Sequence, residues 1–163
     1  MTAFVGASLS ESYTTAQLTG VNSGGVPGIG DIYVSHDNKR YRFVQYVAGA
    51  GAIAAVVGNV VGVYAPGAVS TGVSNIVTSD VSDTAGLGAG ILMSTPGNGD
   101  YCWIQTGGVA TITPALVSGG DGQSLVLSAT TDGTLKIAAA VTEAVVAYAV
   151  DASAKIIFCA FPT

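Results

Sequence analysis

The chain has 163 residues, a length that one domain accounts for and that buries most of its unfolded surface without disulfide or metal staples. Charged residues make up only 9%, the net charge is −5, and five residues in all are Lys or Arg. That excludes a phosphate-tracking surface, since nucleic-acid affinity comes from clustered cations. A surface this poor in charge is expected to be covered partly by other subunits.

Residues 1–30 are rich in Ser, Thr and Gly, contain no Lys or Arg, and show no sustained helical or strand period. They read either as a floppy tail or as an extended N-terminal arm whose order is borrowed from a partner, with Phe4, Val5, Tyr13 and Leu18 as the apolar anchors it would dock. Met1 to Phe4 show no basic stretch leading into an apolar core, so no secretory leader is expected.

From Asp31 the pattern becomes β-rich, and residues 31–163 are expected to form one domain. Asp31 to His36 and Lys39 to Val47 read as two strands of a hairpin, joined at Asp37-Asn38, where both residues tolerate positive φ. On the second strand Lys39, Tyr41, Phe43 and Gln45 share one face, and Arg40, Arg42, Val44 and Tyr46 the other. Lys39, Arg40 and Arg42 are the chain's one basic cluster. They suit pairing with carboxylates of a neighbouring subunit or, more plainly, a strand edge guarded by charge. His36 stands alone beside the turn and has no companions at metal-ligand spacing.

Residues 47–65 form an uncharged run long enough for a membrane span. Four glycines, Asn59 and the surrounding β-pattern argue instead for an Ala-rich turn or helix over Gly49 to Ala55 and a buried strand over Val56 to Tyr64. Pro66-Gly67 marks a turn. Val69 to Ser79 and Leu87 to Met93 read as strands around a turn at Asp80 to Thr84.

The strongest strand signal is Tyr101 to Thr106, closed by glycines at both ends, with Tyr101, Trp103 and Gln105 on one face. Further short strands follow at Val109 to Thr113, Ser124 to Ser128, Thr134 to Ala138, Val145 to Val150 and Lys155 to Phe161. The expected fold is therefore all-β, a small antiparallel barrel or sandwich with an extended N-terminal arm. Cys102 and Cys159 both sit in apolar strands and read as small buried thiols, with a bridge between them left open.

Chemistry is sparse. Nearly all ten acidic residues fall in turns or in the arm, and no Ser/His/Asp grouping, HExxH, GxSxG or phosphate-loop motif is present. No enzymatic activity, cofactor or metal is expected. The segments GDYCWIQTGG (99–108), GDGQSLVLSATTDGTLKIA (120–138), AVVAYAVDASA (144–154) and KIIFCAF (155–161) together resemble the C-terminal β-domain of tailed-bacteriophage capsid decoration (cement) proteins. The likeness extends upstream through KRYRFVQ (39–45).

That resemblance implies a structural virion protein on the outer surface of the capsid, made in the host cytoplasm. It would bridge neighbouring shell subunits, with the major capsid protein as partner and a homotrimer as its own assembly, and would bind neither nucleic acid nor membrane. Phe4, Val5, Tyr13, Leu18, Lys39, Arg40 and Arg42 would then touch the shell or a neighbouring subunit. Trp103 would lie either in the core or at the trimer interface. An alternative from another class is a tail-fibre or adhesin-type carbohydrate-binding module using Tyr13, Tyr33, Tyr64, Tyr101 and Trp103.

Overall fold

The computed structural model describes residues 7–19, 26–66 and 74–163. Phe4, Val5, Gly67 and the first part of the strand expected over 69–79 lie outside them. The described residues form eleven strands: β1 (Ser12–Tyr13), β2 (Ile32–Val34), β3 (Arg40–Tyr46), β4 (Val60–Tyr64), β5 (Ile76–Thr78), β6 (Thr84–Leu92), β7 (Tyr101–Thr111), β8 (Ser124–Leu127), β9 (Leu135–Ile137), β10 (Ala147–Asp151) and β11 (Ile156–Ala160). A five-residue helix, α1 (Thr15–Thr19), is the only α-helix among them. The fold is all-β, with 40% strand and a closed five-stranded barrel.

The barrel runs β3-β5-β4-β6-β7 and closes where β7 returns to β3, from Tyr41↔Gln105 to Gln45↔Tyr101. All its pairings are antiparallel except β3 with β5, which run parallel at Gln45↔Ile76 and Tyr46↔Val77. Closure leaves the barrel strands no free edge of the kind that invites aggregation. The interior holds Val44, Tyr46, Val61, Val63, Val77, Ala89, Leu92, Cys102 and Ile104, all buried.

β7 belongs to two layers at once. Its first half closes the barrel, and its second half pairs with β11, continuing through β10 and β8 to β9. The joint is at Gly107-Gly108, where Arg40 pairs with Gly107 but Tyr41 with Gln105, so one extra residue bulges out of β7. Gly108 adopts φ +86° there, a conformation open to glycine. The Gln105 side chain holds the bulge: its amide donates to the carbonyls of Gly107 (3.1 Å) and Val109 (3.0 Å). The two glycines that signalled a strand end in the sequence therefore bend one eleven-residue strand rather than stop it.

A second apolar core lies under β8 to β11, built from Leu125, Leu127, Leu135, Val146, Ala147, Ile157, Cys159 and Phe161 with Ile91 and Ile112. Cys102 and Cys159 thus sit in different cores, and both are free thiols. Burial pushes each thiol up to about 12, with the Asp100 charge adding to the effect at Cys102.

Several local expectations shift by a few residues. The hairpin turn holds three residues, His36 to Asn38, bracketed by Ser35 N donating to Lys39 O (3.0 Å), and Asn38 alone has positive φ, +61°. The Gly49 to Ala55 stretch forms turns and no helix. β4 starts at Val60 because Asn59 N closes a turn onto Val56 O.

Candidate functional site

β3 has both faces covered, which settles the surroundings of most residues singled out in the sequence. Odd positions pack outward from the barrel into an aromatic plate of Tyr41, Phe43, Tyr101 and Trp103. Phe43 meets Trp103 edge-on at 5.3 Å and stacks near Tyr101 at 6.3 Å. The described part of the arm lies over this plate. β1 pairs with β7 at Ser12↔Cys102 and Tyr13↔Tyr101, Tyr13 meets Phe43 edge-on at 5.7 Å, and Ala7, Leu9 and Leu18 pack alongside. Residues 7–19 thus pack on the chain's own barrel, where the plate offers a large apolar surface next to the open end of β7.

Trp103 is 3% exposed and belongs to this plate. Its indole Nε1 has no hydrogen-bond partner among the described residues.

After the register shift that follows Arg40, the even positions of β3 face the barrel interior. Arg42 shares that face with Val44 and Tyr46, and only 3% of it is exposed. The expectation of a charged, solvated strand edge at Arg42 is thus corrected: β3 pairs on both sides, and alternation turns residue 42 inward. Desolvation lowers the guanidinium pKa, and its Nε and Nη2 are buried without partners among the described residues. Arg40, by contrast, is exposed at the strand start and lies across Gly107, where a Cβ would stand 2.7 Å from Nε. Lys39 is half-buried and pairs with Asp37 at 3.2 Å, a surface ion pair of little energetic weight. The three basic residues that look like one cluster in sequence thus have three different environments.

The acidic residues are turn formers. Asp80 caps a 3-10 turn (Val81–Asp83), accepting from Ser82 N (3.0 Å), Ser82 Oγ (2.5 Å) and Gly51 N (2.7 Å). These bonds hold its carboxyl below the usual range. Asp83 accepts from Ala50 N, Asp132 from Val81 N, Asp121 from Ala152 N, and Asp151 from Ala154 N. Glu143 is drawn down to about 2 by Lys136 and by the Ala139 and Ala140 amides. Among the described residues no group of three or more His, Cys, Asp or Glu is placed to hold a metal ion, and His36 is exposed at the hairpin tip. No helix there is long and apolar enough to cross a membrane.

What the sequence missed is a bare apolar face on the second layer. Val109, Phe158 and Tyr148 stand directly opposite one another across β7, β11 and β10, and are 47%, 47% and 46% exposed. Val150 on β10 and Val145 just before it are also 50% and 37% exposed. Alternation in KIIFCAF does set Phe158 apart from Ile157 and Cys159, but it does not say which side is solvent.

Compared with known proteins, the chain matches no family model, no curated protein and no solved structure.

Proposed function

We propose that the chain is a structural virion subunit, a capsid decoration protein that sits on the outside of an assembled phage head, bridges neighbouring shell subunits and associates as a homotrimer. The observation that carries this reading is the uncharged Val109-Phe158-Tyr148 ladder, a bare apolar face that calls for cover by another protein surface. The low charge content supports it. So does the engagement of the Asp80, Asp83, Asp121, Asp132 and Asp151 carboxylates in turns. Many such weak contacts repeated over a lattice add up through multivalency.

The carbohydrate-binding alternative has less support, because Tyr101 and Trp103 are buried in the aromatic plate rather than presented as a stacking platform. Incubation of the purified chain with undecorated phage shells and, separately, with a glycan array distinguishes the two. Saturable pelleting with shells supports decoration, whereas glycan binding without pelleting overturns it.

A further inference from the structure

β2 ends the sheet, pairing with β3 on one side and with no strand among the described residues on the other. The bonds from Ser35 N to Lys39 O and from Phe43 N to Asp31 O mark the odd-numbered residues as those bonded to β3. By the alternation of an antiparallel ladder, the N–H and C=O groups of Ile32 and Val34 point to the free edge. Their side chains are 56% and 55% exposed. Edge strands are ordinarily blunted by charge, proline, a bulge or short length; Ile32–Val34 is short, at three residues, and carries no charge or proline.

Beside this edge lies a cavity of about 320 Å³, lined by Pro27, Asp31, Ile32, Tyr33 and Trp103 among others. Asp31 and Tyr33 share the strand face that looks toward the aromatic plate. Asp31 Oδ2 accepts the Gly28 N–H at 2.7 Å, while Oδ1 accepts no hydrogen bond and the residue forms no ion pair among the described residues. An exposed carboxylate beside an aromatic wall and an apolar floor suits a cation on an apolar stem.

We propose that the free edge of β2 receives an extended, basic segment of the shell protein. The segment adds as a strand along Ile32 and Val34 and places one Lys or Arg side chain in the cavity, its head on Asp31 and its stem along Tyr33 and Pro27. Main-chain pairing supplies affinity, and the alternate side chain supplies specificity. The Asp31 carboxylate supplies the charge complementarity to a basic side chain, while Arg40, the exposed cross-strand neighbour of Val34, lies on the other face of the strand pair. This inference rests on the decoration reading for the source of the segment.

The test uses the full chain and undecorated phage shells. On shells, the amides of Ile32 and Val34 are expected to exchange hydrogen at least tenfold more slowly than in the free chain. Asp31→Asn is expected to weaken pelleting about tenfold, the size of a lost charged hydrogen bond. The variant Val34→Pro, which removes an N–H that points to the free edge and adds no charge opposite Arg40, is expected to retain a melting temperature near the wild-type value and lose shell binding. If wild type pellets while the β2 amides exchange unchanged, or if Asp31→Asn pellets like wild type, the edge is not the site and the decoration reading survives. Absence of wild-type pelleting overturns both. Protection of the two amides that grows with the concentration of the free chain assigns the edge to a second copy and overturns the proposal.

Discussion

Two phenylalanines on two strands separate the structural face of this molecule from its bare one. Phe43 is fully buried, with ring centroids 5.3 Å from Trp103, 5.7 Å from Tyr13 and 6.3 Å from Tyr101. Phe158 is 47% exposed between Val109 and Tyr148. Phe43→Ala removes a buried ring and leaves a cavity under the arm, a change that costs about 3–5 kcal/mol. For a chain of this length that corresponds to a fall in melting temperature of about 6–20 °C. Phe158→Ala removes a half-exposed ring from the surface, and in the isolated chain is expected to cost about 1 kcal/mol, well below the Phe43→Ala loss. Thermal unfolding followed by circular dichroism and by the emission of the single tryptophan, Trp103, measures both. A loss below about 1 kcal/mol for Phe43→Ala, or a loss for Phe158→Ala as large as that for Phe43→Ala, would refute the assignment of core and bare face.

Two further predictions concern the connections. Asp80→Ala leaves Gly51 N–H and Ser82 N–H without their acceptor and removes the cap of the 3-10 turn, costing about 2 kcal/mol near neutral pH, read by denaturant unfolding. Because the folded carboxyl lies below its unfolded value, that stabilisation is present above about pH 4 and is lost as the pH falls through the folded value; variant and wild type therefore converge in acid. Gln105→Leu strips the donors from the Gly107 and Val109 carbonyls at the bulge and is expected to cost about 2 kcal/mol, with faster amide exchange at Gly107 to Val109 than at the barrel end of β7.

The sequence made the all-β class legible through alternation at Tyr101 to Thr106 and the regular spacing of short strands after it. The acids were legible as turn formers for the same physical reason they occur there, since short carboxylates bond nearby backbone amides. Barrel closure was not legible, because the contacts that make it, Gln45↔Ile76 and Phe43↔Trp103, join residues far apart in the chain. Alternation along β3 correctly grouped Arg42 with Val44 and Tyr46. A strand buried on both faces gives no polar side to orient it, so the inward turn of Arg42 stayed hidden. Gly107-Gly108 carried a signal for a bulge as much as for a stop, and the Gln105 amide that decides between them acts through space. Whether Trp103 is core or interface was left open by the sequence, because Tyr13 and Leu18, which cover the aromatic plate, come from a segment with no period of its own.

The most direct test of the decoration reading is quantitative co-sedimentation of the full chain with undecorated phage shells, comparing wild type with Phe158→Lys. The account predicts saturable pelleting of the wild type in a fixed ratio to shell subunits, and a large loss of pelleting for the variant while its melting temperature stays near the wild-type value. A wild-type chain that stays in the supernatant at every concentration would contradict it.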